Sequence, residues 1–254
     1  IFETSFFAYF FLLPVHFEEF IKSVLASIFF FSNFFFHFSG QAYGAQVLSE
    51  TPLLHTWSLS VEEQFYIVYP LVLLGILIFM KKHIKLILII LILSSLLFAS
   101  ITSLNHQSFN FYMLPTRGWE LLFGALLGTN IIQLNKVKDK KKEIFAIFGF
   151  LILLFSFAFL DNTDLHPTYL TLIPVVGTYL ILQNTNKESL INRLLSYKIL
   201  VFFGLISYSL YLWHHPIFSF GKIIGIGDKS LIIKLIFISI SILLSFLTYR
   251  FVEK

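Results

Sequence analysis

The sequence predicts an all-α integral membrane protein, a polytopic helical bundle with about eight transmembrane helices in one domain spanning 1–254. Three observations predict it. First, 57% of the 254 residues are hydrophobic and only 13% are charged, whereas a soluble domain is nearer half apolar and a quarter charged. Second, apolar runs recur at the length of about 20 residues that a helix needs to cross a bilayer core. Third, Lys-rich breaks between these runs alternate with poorly basic ones, which is the positive-inside pattern. A soluble fold of this size could not hide so much Phe, Ile and Leu from water. These features exclude a soluble enzyme, a disordered chain and a collagen. The absence of cysteine excludes disulfides, thiolate catalysis and Cys-based metal sites. The formal charge of +4 does not point to nucleic acid, because the lysines sit in loops and not along a basic groove.

Spans are expected over 58–80, 84–104, 119–134, 144–160, 169–183, 199–219 and 231–251. The stretch Phe6 to Leu13 reads as the end of a span begun upstream. The chain opens on Ile1-Phe2-Glu3 with neither an initiating Met nor a signal peptide, so the sequence is read as N-terminally truncated. The stretch 23–38 carries Ser32, Asn33 and His37 and is expected to lie in the interface or to re-enter. Lys81, Lys82 and Lys85, then Lys136 to Lys142, then Lys187, Arg193 and Lys198 mark three loops of one side. The loops 105–115, 161–168 with Asp161 and Asp164, and 220–230 mark the other. Alternation places the Lys-rich loops and the C-terminus in the cytoplasm and 39–56 outside.

In a membrane the informative residues are polar ones within apolar spans, since a charge at a helix centre costs about 2.5–3.5 kcal/mol even on the mildest scale. Three clusters stand out. Pro52 to Tyr66 sends Glu62, Glu63 and Gln64 into the head of a hydrophobic helix behind Trp57, Ser58 and Ser60. Ser58, Glu62, Tyr66 and Tyr69 share one helical stripe. Ser60-x-x-Glu63 also has the form of a capping box, with Trp57 and Tyr66 as interfacial aromatics, but a cap needs one carboxylate and has no use for Gln64. The alternative is a buried hydrogen-bonding site with a carboxylate able to orient or deprotonate another group.

The second cluster, Leu114 to Glu120, places Arg117 and Glu120 three apart at a helix start. They read either as an interfacial ion pair anchored by Trp119 or as a guanidinium facing a cavity, suited to phosphate or carboxylate. The third, Phe203 to Pro216, aligns Ser207, Tyr211 and His214 on one stripe, with Tyr208 beside them. Serines here can simply aid close packing. His214 or His215 near the outer end could titrate near neutrality, and Pro216 ends or kinks the helix. Gly227-Asp228-Lys229 has Lys where an esterase nucleophile would stand, and His16, His37, His106 and His166 lack partners at metal spacing. No metal site and no dinucleotide or phosphate-loop motif is present.

Together the clusters resemble the acyltransferase 3 family, the integral-membrane O-acyltransferases of bacterial cell-surface sugars. The segment Pro52-Leu-Leu-His-Thr-Trp-Ser-Leu-Ser-Val-Glu-Glu-Gln-Phe-Tyr66 is the most specific match and is closest to the O-antigen acetylase branch. Leu114 to Gly124, Ile206 to Pro216 and the terminal Tyr249 to Lys254 match further signatures in order. Family members carry an Arg and a catalytic His in a first helix and an Arg-rich motif before the third. This chain has neither Arg nor His before residue 14, so it resembles the family from its third helix onward.

The resemblance implies transfer of an acyl group, acetyl above all, from cytoplasmic acyl-CoA to a sugar hydroxyl outside a bacterial inner membrane. Acyl-CoA is a donor substrate here, not a bound cofactor. The acceptors implied are O-antigen, capsule, exopolysaccharide or peptidoglycan sugars or their lipid-linked precursors. In that branch an extracytoplasmic SGNH esterase-like domain often follows, and it would begin beyond Lys254. With the family's base His upstream of this chain, Glu62, Glu63 and His214 are expected from their positions in supporting catalytic roles, and Trp57, Ser58, Ser60, Gln64, Tyr66, Arg117, Glu120, Ser207, Tyr208 and Tyr211 in substrate binding. A flippase for a lipid-linked sugar is the rival reading, and the lack of an internal repeat argues against it. A non-catalytic relative that keeps the motifs for packing is the other.

Overall fold

The computed structural model describes residues 1–40, 50–128, 139–160, 166–227 and 230–254. The described residues are helical and contain no strand. In order they form α1 (Phe2–Phe11), α2 (Pro14–Ile28), α3 (Ser32–Ser39), α4 (Thr56–Phe79), α5 (Ile84–Asn105), α6 (Gln107–Tyr112), α7 (Leu114–Gly128), α8 (Asp139–Phe159), α9 (Leu172–Asn184), α10 (Leu190–Leu195), α11 (Lys198–Ile223) and α12 (Leu231–Thr248). Among the described residues, four helical stretches are long and apolar enough to cross a membrane: Thr56–Phe79, Lys81–Asn105, Lys140–Phe159 and Leu231–Glu253. Most of their side chains are apolar and outward-facing, as a lipid-solvated helix requires.

The expected spans 58–80, 84–104, 144–160 and 231–251 fall on these four stretches, so among the described residues four of the expected eight or so crossings have a helix of that length and composition; 199–219 lies within α11, and three other stretches differ. The 119–134 span is helical from Leu114 to Gly128, and its remainder lies outside the described residues. The 169–183 span begins as a 3-10 turn at Tyr169–Thr171 and continues as the 13-residue α9. The 23–38 stretch is not one helix. Phe30 turns the chain at φ 58, a left-handed conformation costly for a side-chain-bearing residue, and α3 starts afresh at Ser32. Lys136, Lys138, Asp161, Asp164, Asp228, Lys229 and residues 41–49 of the 39–56 loop fall outside the described residues.

The helices form two compact units. One holds Ile1–Glu63 and Lys198–Lys254, in which α11 packs along α12. Here Ser27 bonds Thr56 at 2.8 Å, and Ser32 Oγ bonds Ser60 Oγ at 2.7 Å, so small polar residues join α2 and α3 to the start of α4. Trp213 Nε1 donates to Thr248 at 2.9 Å, and the Ser209 hydroxyl donates to Glu253 in the π-helical turn at Tyr249–Glu253.

The other unit, Gln64–Tyr197, is built around Leu88, Ile92, Trp119, Leu122 and Leu126, with Phe65 and Tyr69 packed against them. Within it α8 and α9 cross at Gly149 and Gly177. A methyl group on Gly149 would stand 2.7 Å from the Gly177 carbonyl oxygen and 2.8 Å from the Leu180 Cβ. Small residues at such a crossing let two backbones approach where hydrophobic driving force is absent. Gly149→Val is expected to cost about 1–3 kcal/mol by overpacking. Thermal unfolding of the detergent-solubilised protein checks this. Gly75→Ala, where an added Cβ meets nothing within 4 Å, is the control expected to leave the midpoint unchanged.

Candidate functional site

The first site is assembled at the N-terminus of α4. Two turn bonds, Leu54 N to the Thr51 carbonyl at 3.1 Å and Thr56 N to the Leu53 carbonyl at 3.0 Å, wind the chain directly into the helix. Since α4 begins at Thr56, Ser60 and Glu63 lie beyond its first turn and do not form a capping box. Their position gives the physical reason: a cap must meet the unbonded amides of the first turn. The Ser60 hydroxyl instead accepts from the Ser32 amide at 3.2 Å.

Tyr211 on α11 reaches this turn. Its hydroxyl donates to the His55 carbonyl and lies 2.6 Å from Ser58 Oγ. A phenol has one proton, so with that proton on the carbonyl the second bond must run from Ser58 to Tyr211. His215 Nε2 sits 3.0 Å from the Thr51 carbonyl, and His214 Nδ1 sits 3.0 Å from the Leu210 carbonyl. Carbonyls only accept, so these two nitrogens carry protons, and in a neutral ring the lone pair falls on His214 Nε2 and on His215 Nδ1.

The predicted stripe of Ser207, Tyr211 and His214 lines one cavity of about 620 Å³, with Phe203, Phe218 and Ile242 among its apolar walls. His55 completes the group. Its ring centroid is 5.2 Å from Tyr211, 5.1 Å from His215 and 6.0 Å from His214. The residue is 7% exposed, and its Nδ1 has no hydrogen-bond partner. Glu62, half-buried one turn beyond Ser58, is within electrostatic range of the Tyr211 hydroxyl. Glu63 and Gln64 are also half-buried, and Trp57 sits half-buried in the first turn. Tyr66 and Tyr208 are exposed, at 57% and 54%. Ser207 uses its own proton on the Gly204 carbonyl at 2.8 Å. Among the described residues no group of three His, Asp or Glu is arranged to hold a metal ion.

His55 was not singled out as a site residue by the sequence, and His215 only as an alternative to His214. The available signal was the position of His55 seven residues before Glu62, inside the most specific signature. His55 precedes the α4 span, and burial, reinforced by the nearby His215 and His214, pushes its imidazole down from 6.5 to about 3. The folded protein therefore binds fewer protons than the unfolded chain between these values, so stability is complete above about 6.5 and falls as pH drops through that window. Thermal unfolding measured from pH 7 to pH 4 is expected to show this loss, and His55→Asn is expected to flatten the slope.

The second cluster lies in the other unit, at the start of α7. Ser95 of α5 inserts into the helix ladder there, donating to the Pro115 carbonyl at 2.6 Å and accepting from the Trp119 amide at 3.1 Å. Arg117 Nη1 pairs with Glu120 Oε2 at 3.3 Å, and Nε donates to the Phe111 carbonyl at 2.7 Å. The guanidinium also stands 5.0 Å above the Phe111 ring. Trp119 is fully buried. Glu120 borders a smaller cavity of about 280 Å³ between α7 and α9.

Comparisons with known proteins identify the family of the chain. The acyltransferase-domain family profile matches residues 6–250. A protein of Staphylococcus aureus (strain COL), named as a candidate O-acetyltransferase, is 32% identical over 91% of this chain and 40% of its own length. YrhL of Bacillus subtilis (strain 168), named as a candidate peptidoglycan O-acetyltransferase, is 30% identical over 91% of this chain and 38% of its own. The O-acetyltransferase OatA of Staphylococcus aureus (strain NCTC 8325 / PS 47) is 30% identical over 91% and 40%. The chain thus spans about two fifths of the length of the curated relatives it matches. No solved structure is a significant match. With its signatures in order along a helical membrane chain and the profile covering nearly all of it, the chain belongs to the acyltransferase-domain family.

Proposed function

We propose that this chain is the membrane part of an O-acyltransferase. The enzyme moves an acyl group, acetyl by preference, from cytoplasmic acyl-CoA to a hydroxyl of an extracytoplasmic cell-surface glycan or its lipid-linked precursor. It crosses the bacterial inner membrane about eight times in this reading, with the Lys-rich loops in the cytoplasm. The observation that carries the proposal is the meeting of two distant signatures: Ser58 and His55 from one, and Tyr211, His214 and His215 from the other. The names of the relatives support acetyl as the acyl group. Where such a name states an acceptor it states peptidoglycan, which favours a cell-wall glycan over O-antigen.

The chemistry needs a base for the hydroxyl proton and donors for the developing oxyanion. The acceptor oxygen forms a bond to the acyl carbonyl carbon as the carbon–sulfur bond of the thioester breaks, and the departing thiolate takes up a proton. In this reading Glu62 and Glu63 orient the acceptor or the base, and His214 offers Nε2 to the cavity. Trp57, Ser60, Gln64 and Tyr66 shape the head of α4, and Tyr211, Ser58 and Ser207 set the polar stripe. The test is O-acetylation of surface glycan in cells making the full-length protein, wild type against Glu62→Gln with Glu63→Gln. The double variant is expected to lose O-acetyl groups at normal membrane levels. Unchanged acetylation would remove the carboxylates from the mechanism.

A further inference from the structure

Within the unit Gln64–Tyr197, the end where α8 begins and α10 lies carries charges that helix stability does not explain. Lys140, Lys141 and Lys142 stand in the first turn of α8, the positive end of the helix dipole, where cations are disfavoured. Lys187 in the turn after α9 and Arg193 in α10 are exposed beside them. None of these five cations is ion-paired among the described residues. The same two segments hold only three acids, Asp139, Glu143 and Glu188, so the patch stays net positive. Unpaired like charges gathered at one place repel, and an anionic partner removes that cost.

α10 is held by one side only. Glu143 Oε1 accepts from the Leu190 amide at 3.3 Å, and Ser189 caps the helix by accepting from the Asn192 amide at 3.1 Å. Asn192 Nδ2 donates to the Lys187 carbonyl at 3.2 Å, which keeps the Lys187 turn against the helix. Ile191 is buried with Ala146 and Ile181. Leu190 and Leu194, at i and i+4 on another stripe, are exposed. Exposed Tyr197 follows in the closing turn, its amide on the Leu194 carbonyl at 3.2 Å.

The level of α10 along α8 states what covers these leucines. α8 is long and apolar enough to cross a membrane, and its apolar run starts at Ile144, so its first turn marks the rim of the hydrocarbon core. The Glu143–Leu190 bond sets α10 at that rim. Leucines, a tyrosine and cations together at this depth are the makeup of a helix lying in a bilayer interface. A soluble anion would meet the cations and leave the leucines in water, whereas a neutral lipid would cover the leucines and leave the charge.

We infer that α10 and the first turn of α8 form a binding surface for anionic phospholipid. The headgroup phosphates meet Lys140, Lys141, Lys142, Lys187 and Arg193, and the acyl chains meet Leu190 and Leu194. In the orientation proposed above this is the cytoplasmic leaflet. The surface is independent of acyl transfer, and so is its test.

The full-length protein is placed in nanodiscs of phosphatidylcholine, alone or mixed with phosphatidylglycerol, and its thermal unfolding is followed. Phosphatidylglycerol is expected to raise the wild-type midpoint by about 5 °C at low salt, and high salt to shrink the rise. Joint replacement of the five cations by Gln is expected to remove most of it. No rise in wild type, or an equal rise in the variant, overturns the inference. If coenzyme A in phosphatidylcholine discs raises the wild-type midpoint and phosphatidylglycerol does not, the cations serve a soluble phosphate, and the lipid assignment is overturned.

A second variant decides the matter if the fivefold replacement does not fold. These 254 residues contain no cysteine. Leu194→Cys, with any cysteine beyond them replaced by Ser, therefore takes a single fluorophore at an exposed position. Lipids spin-labelled near the headgroup are expected to quench it strongly, and aqueous iodide weakly. The opposite pattern places Leu194 in water and overturns the inference.

Discussion

The Tyr211 hydroxyl is the interaction on which the first site depends. It donates to the His55 carbonyl and accepts from Ser58, tying α11 to the turn that starts α4 across more than 150 residues of sequence. Such a bond has unusual weight in an apolar bundle, because little water is present to take over either half if it breaks. His215 adds a parallel tie to the Thr51 carbonyl. With both in place, the rotation of α11 is set, and His214 is presented to the cavity instead of to the opposite face.

The same economy of polar groups explains the rest of the site. His214 and His215 each give one proton to a backbone carbonyl, which leaves one nitrogen of each ring for chemistry or for a neighbour. The three imidazoles lie within 5.1–6.1 Å of one another, too close for all to be charged without mutual repulsion. His55, pressed against all of them and buried, is the ring that burial holds neutral. In the other unit the logic is repeated with different groups: Ser95 stitches α5 to α7, and Arg117 and Glu120 cancel each other's charge. Both places keep polar side chains inside apolar helices at a cost that packing alone does not require.

Much of this was legible in the sequence. The positions of the four helices long enough to cross a membrane followed from runs of Leu, Ile and Phe, because the bilayer sets the length they need, whereas α9, at 13 residues, falls short of it. The stripe of Ser207, Tyr211 and His214 followed from the 3.6-residue period, and the three do line one cavity. The capping-box reading of Ser60 and Glu63 failed for a local reason: the turn at Thr51–His55 starts α4 at Thr56, ahead of the first helical position, Val61, that a cap at Ser60 would require. The break at Phe30 was equally hidden, since nothing in the run of three phenylalanines Phe29 to Phe31 marks the one at positive φ.

What the sequence determined by itself is therefore what lipid and helical periodicity dictate: an α-helical membrane chain, its loops, the polar residues worth explaining and the family they belong to. What only the tertiary structure decided is which polar groups satisfy one another. That Tyr211 takes the His55 carbonyl, that Ser60 turns to Ser32, and that Glu120 keeps one oxygen buried and unbonded all depend on atoms far apart in the chain. Hydrogen bonds act over about 3 Å, and a linear pattern carries no distance between residues 55 and 211 until the helices pack.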